Sequence, residues 1–79
     1  MVNLKEIRKT NDEIRCKAFV EDCQEAVTIR IDHSGELIEK PVLPAGYEWC
    51  SGHISHARWY LESLWKETNI PDHELIMWY

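Results

Sequence analysis

The stretch Glu13-Ile14-Arg15-Cys16-Lys17-Ala18-Phe19-Val20-Glu21 alternates without a break, with Ile14, Cys16, Ala18 and Val20 on one side and Arg15, Lys17 and Phe19 on the other. That period of two belongs to a strand with one buried and one wet face. Residues 26–32 repeat the pattern, turning Val27, Ile29 and Ile31 inward and Thr28, Arg30 and Asp32 outward. Upstream, Asn11-Asp12 suits a two-residue hairpin turn, because both residue types tolerate positive φ. Such a turn implies a preceding strand over residues 2–9. Leu4 and Ile7 have opposite parity within it, which predicts a bulge or a twisted edge.

Downstream, His33-Ser34-Gly35-Glu36 reads as a turn and residues 36–42 as a fourth strand. Pro41 cannot donate to a ladder, which places that strand at an edge. Leu43-Pro44-Ala45-Gly46 fits a type I turn. The period then changes. From Ser51 to Thr68, Ile54, Ala57, Leu61, Leu64 and Trp65 fall on one face of a helix, with Ser51 as N-cap and Asn69 and Ile70-Pro71 ending it. Residues 73–79 read as a fifth strand. The expected fold is α+β: one small domain over residues 1–79, with an antiparallel sheet of about four to five strands in the order β-β-β-β-α-β packed on one C-terminal amphipathic helix.

Composition sets the broad class. Apolar residues make up 44% of the 79 and charged ones 29%, which is globular rather than disordered. Four tryptophans can compensate for a thin core. Residues 1–30 balance their charges, so the net −5 arises from the remainder. An acidic total disfavours generic affinity for nucleic acid or anionic membranes but leaves room for a local basic face. Residues 1–9 mix apolar and charged side chains and lack the apolar run of a signal peptide, and no stretch is long enough to span a membrane. Three cysteines, an odd number, fit a reducing compartment better than a disulfide framework. A soluble cytoplasmic domain is expected.

Four features bear on chemistry. Cys50, His53 and His56 stand at steps of three, which would suit a zinc ion or a Cys-His nucleophile, but no second ligand knuckle and no orienting third group accompanies them. No catalytic residue, metal ligand or cofactor is therefore expected. Arg15, Lys17, Phe19 and Arg30 share an outward strand face, a pattern seen in single-strand nucleic-acid readers; a solvated face with charge pairs to Glu13, Glu21 or Asp32 is the plainer account. On the helix, His53, His56, Tyr60, Ser63 and Glu67 form a polar stripe, and Trp59 points away from the core beside Arg58, a composition typical of interface anchors.

Finally, Leu75-Ile76-Met77-Trp78-Tyr79 is apolar on both sides and needs cover on both. One helix covers one face, so either Ile76 and Trp78 or Leu75 and Met77 are left for a partner, unless the loop Tyr47-Glu48-Trp49 folds over them. These readings converge on a non-enzymatic protein–protein interaction or regulatory module. Its expected contact residues are His56, Trp59, Tyr60, Ile76, Trp78 and Tyr79, and its expected partner is itself, as a homodimer, or another protein. The two alternatives are a single-stranded nucleic-acid binder around Phe19 and a zinc or thiol site at Cys50, His53 and His56.

Overall fold

The alternating stretch becomes an inner strand of the sheet. The computed structural model describes residues 1–78. They form β1 (Val2–Lys9), β2 (Ile14–Val20), β3 (Val27–Ile31), helix α1 (Ser51–Ser63), a 3-10 turn (Leu64–Lys66) and β4 (Glu74–Ile76). The sheet runs β3-β2-β1-β4 with every neighbouring pair antiparallel, an α+β arrangement with its helix on the C-terminal side.

The hairpin turn falls at Asn11-Asp12, beyond the last ladder pair Lys9–Ile14. Neither residue adopts positive φ. Thr10 closes the turn instead: its hydroxyl accepts the Asp12 and Glu13 N–H groups, each at 3.2 Å. The parity break between Leu4 and Ile7 is a true irregularity, since the register shifts between Lys5 and Arg8 and Glu6 takes φ +53°. One extra residue there returns Ile7 to the buried face.

The buried face of the sheet collects Val2, Leu4, Ile7, Ile14, Cys16, Ala18, Val20, Val27, Ile29 and Ile31, and α1 lays Ile54, Ala57 and Leu61 on it. Between β3 and α1 the chain differs from the sequence expectation. Residues 36–42 form no strand but a single bridge, Ile31–Leu37, with hydrogen bonds from Asp32 N to Glu36 O and from Ile38 N to Arg30 O. The chain then leaves the sheet at Pro41, which has no N–H to give, and Val42 is exposed. The next turn sits one residue later than the expected type I turn and has the positive φ at its third residue that marks type II: Tyr47 N donates to Pro44 O, and Gly46 supplies φ +89°.

The helix is also shorter than its periodicity implies. Cys50, not Ser51, is its N-cap, and no side chain caps it. After Ser63 the backbone tightens into the 3-10 turn, where Lys9 from β1 intervenes. Its Nζ donates to the carbonyls of Leu64 (3.1 Å), Trp65 (2.9 Å) and Glu67 (2.8 Å) and lies 5.6 Å from the Trp65 ring centre. One ammonium thus engages the Trp65 and Glu67 carbonyls at the helix end, adds a second donor to Leu64 O, which also accepts the Glu67 N–H at 3.1 Å, and complements the negative pole of the helix. Trp65 is fixed from the other side by a hydrogen bond to Asp32 O at 2.9 Å and by His33 stacked on its ring at 4.2 Å.

Two predictions follow from these contacts. Lys9→Met keeps the apolar stem and removes the charge; chemical denaturation should show a loss of about 1–3 kcal/mol, the scale of hydrogen bonds to a charged group, and an unchanged midpoint would show that water replaces the ammonium without penalty. Glu13 forks onto Arg30, whose Nε and Nη2 donate at 2.9 and 2.8 Å, and that hydrogen bonding holds the Glu13 carboxyl below the usual glutamate range. A depressed carboxyl contributes stability that is present above the unfolded value and lost as pH falls through the folded one. Glu13→Gln should therefore shrink the drop in urea midpoint between about pH 6 and about pH 3.

Candidate interaction surface

Trp49, His53, His56 and Trp59 lie at intervals of four, three and three, one stripe along the start of α1. Their rings touch in sequence through Trp78, which the last described residues lay across the helix. Trp49 meets His53 edge-on at 5.4 Å, and His53 meets Trp78 edge-on at 4.7 Å. Trp78 stacks on His56 at 4.2 Å and 12°, and His56 meets Trp59 edge-on at 5.2 Å. Five rings form a continuous line whose two ends, Trp49 at 65% and Trp59 at 56% exposure, stand in solvent.

His53 anchors the line. The expected polar stripe places it at the surface, but it is only 6% exposed. Its Nε2 lies 2.6 Å from Glu21 Oε2, and the same oxygen accepts the Met1 ammonium at 2.7 Å. Glu21 reaches this position from a left-handed backbone, φ +49°, just past β2. A buried imidazole is tolerable because a carboxylate partners it.

Of the expected contact residues, His56, Trp59 and Trp78 come together in the ring line. Tyr60 packs half-buried against the core, and its hydroxyl pKa is raised by burial and by the Glu74 carboxylate of β4. Ile76 pairs with Val2 at the sheet edge and also packs on the core. Tyr79 lies outside the described residues. The ambiguity of the tail resolves in one direction: Ile76 and Trp78 turn to the helix, whereas Leu75 and Met77 are 50% and 60% exposed. Tyr47 does not cover them; it packs on the core and donates its hydroxyl to Asp22 at 2.7 Å, which raises its pKa to about 12. By sequence, Leu75 with Met77 is one of two alternative pairs left for a partner, whereas Trp49 falls only in a covering loop and not among the contacts. The helical spacing of Trp49 from His53 and His56 was the available signal.

The Cys50, His53 and His56 pattern gains nothing from this geometry. Cys50 is fully buried, and burial together with the Glu21 charge raises its thiol pKa, the reverse of an activated nucleophile. His53 is engaged with Glu21 and His56 with Trp78. Among the described residues no three His, Cys, Asp or Glu side chains are grouped to hold a metal ion. No described helix is long and apolar enough to cross a membrane.

On the opposite face of the sheet, Arg15, Lys17, Phe19, Thr28 and Arg30 all point away from α1, as their alternation requires. Arg30 is engaged by Glu13 and, at 3.4 Å, by Glu39; Lys17 lies 3.4 Å from Glu6. No protein-family model matches this chain, and neither a curated protein nor a solved structure matches it significantly.

Proposed function

We propose that the protein is a non-enzymatic interaction module that forms a homodimer through β4, with the ring line beside the seam. The observation that carries this reading is the open edge: β4 pairs with β1 on one side only among the described residues, and Leu75 and Met77 are exposed along it. An unpaired edge with apolar side chains is a template for another strand.

A second copy fits it by register. Antiparallel pairing about a two-fold axis at Leu75 sets Leu75 opposite its own copy and Glu74 opposite Ile76, so no like charges meet. The row Phe19–Asn3–Leu75, aligned across β2, β1 and β4 with an apolar side chain at each end, then continues into the partner's sheet. Trp59, Tyr60, His56 and Trp78 supply the aromatic area typical of anchoring contacts on the helix side. Three buried free thiols, Cys16, Cys23 and Cys50, suit a reducing, cytoplasmic setting, which belongs to this reading.

Size-exclusion chromatography with light scattering, run at several concentrations, tests it. The wild type should approach twice the 9.4 kDa chain mass as concentration rises. Leu75→Lys, at a half-exposed position, should stay at the single-chain mass with an unchanged melting temperature in dilute solution. A wild-type mass of 9.4 kDa at every concentration overturns the proposal.

A further inference from the structure

The strand register sets like charges side by side on the uncovered sheet face. Lys5 stands opposite Lys17, Arg15 opposite Arg8, and Arg15 again opposite Arg30. Directly opposed side chains in an antiparallel pair lie about 5 Å apart at Cβ, and like charges there destabilise the sheet. Three such pairs occur in a chain that carries fourteen carboxylate side chains against nine Lys and Arg, so acidic partners were available to the sequence. Most of the carboxylates that answer these cations stand at the rim instead: Asp72 holds Arg8 at 2.7 Å, and Glu13 and Glu39 hold Arg30, while Glu6 lies 3.4 Å from Lys17. Arg15, in the centre and exposed, has no carboxylate within ion-pair distance among the described residues, although Glu13 is near enough to feel its charge.

This centre is recessed. A groove of about 320 Å³ is lined by Glu6, Arg8, Arg15, Cys16, Lys17 and Thr28. Along β2 it leads from Arg15 past Lys17 to Phe19, a track of roughly 13 Å at the rise of a strand. There a second recess is bordered by Asn3, Lys5, Phe19 and Leu75, and also by Glu21 and Asp22, with the Lys5 ammonium 5.3 Å from the Phe19 ring centre. Cations in line, then a flat ring, then an amide able both to donate and to accept, is the set of groups that a phosphate chain carrying planar bases requires.

We propose that this face binds single-stranded nucleic acid along β2, with Arg15, Lys17 and Lys5 taking phosphates and Phe19 stacking a base. The acidic total charge does not oppose this, because most carboxylates sit at the rim and elsewhere on the surface. Within the track Glu6 pairs with Lys17 at 3.4 Å, and both side chains are more than half exposed, so a phosphate can take the place of that carboxylate. An acidic peptide would use the cations and leave Phe19 and Asn3 idle. A B-form duplex does not fit, since a four-strand face is wider than its major groove of about 12 Å. The proposal does not depend on dimer formation.

Fluorescence anisotropy of a labelled ten-residue oligothymidylate, at about 20 mM and about 200 mM salt, tests it. Binding should be detectable at low salt and fall with a logarithmic slope near −0.7 per phosphate contact. Arg15→Glu should weaken binding at least about tenfold, as charge reversal at a phosphate contact implies. The same substitution should raise the melting temperature, because a carboxylate then stands between Arg8 and Arg30. Phe19→Leu should weaken the oligonucleotide and leave polyglutamate binding unchanged. The proposal is overturned by no binding at low salt, by Arg15→Glu binding as tightly as the wild type, or by polyglutamate competing as well as the oligonucleotide.

Discussion

One helix must shield the apolar face of a sheet that is wider than itself. Four strands place their outer axes roughly 14 Å apart, while a helix with its side chains is about 10–12 Å across. Helix α1 lies mainly over β2 and β3, so both margins need other cover. Towards β3 it comes from the loop and the 3-10 turn, through Leu37, Leu43 and Trp65; towards β4 it comes from Ile76 and Trp78. The large side chains outside regular elements are thus part of the core's boundary, which explains why Trp65 and Trp78 are each held by a histidine ring. Lys9, tying the end of the helix region to β1, fixes how far the shield extends.

Most of this was legible where the period was clean. Strands two and three, the bulge in the first and the inner face of the helix follow from alternation and helical spacing within a few residues, which are local properties. The strand expected over 36–42 reduces to one bridge, because its alternation was short and Pro41 removes a donor just where a ladder would continue. The tail was ambiguous for a different reason. Five consecutive apolar residues carry no parity, so only the docking of Trp78 on His53 and His56 decides which side faces in.

The two surfaces differ in how far sequence could reach them. The ring line is half local, since Trp49, His53, His56 and Trp59 share a helical spacing; its anchor, Glu21, is thirty-two residues from His53 and carries no sequence signal of the pairing. The basic track is local only in part: alternation puts Arg15, Lys17, Phe19 and Arg30 on one outward face, and register decides which cations stand side by side. Arg8, Arg15 and Arg30 are far apart in the chain and become neighbours only through the bulge and the two hairpin registers. A shift of one residue would have sent them to alternate faces.

The position of β4 has a kinetic meaning. Strands β1 to β3 form a meander whose contacts are mostly between near neighbours in sequence. β4 joins by three residue pairs, Val2–Ile76, Asn3–Leu75 and Leu4–Glu74, closing a loop of nearly the whole chain. Long closure carries the larger entropic penalty and few pairs oppose it. β4 is therefore expected to dock last and detach first, in a subglobal opening that leaves the meander intact. When it opens, the same β1 edge becomes available to the β4 of a neighbouring molecule, so exchange of this strand between chains needs no unfolding of the rest.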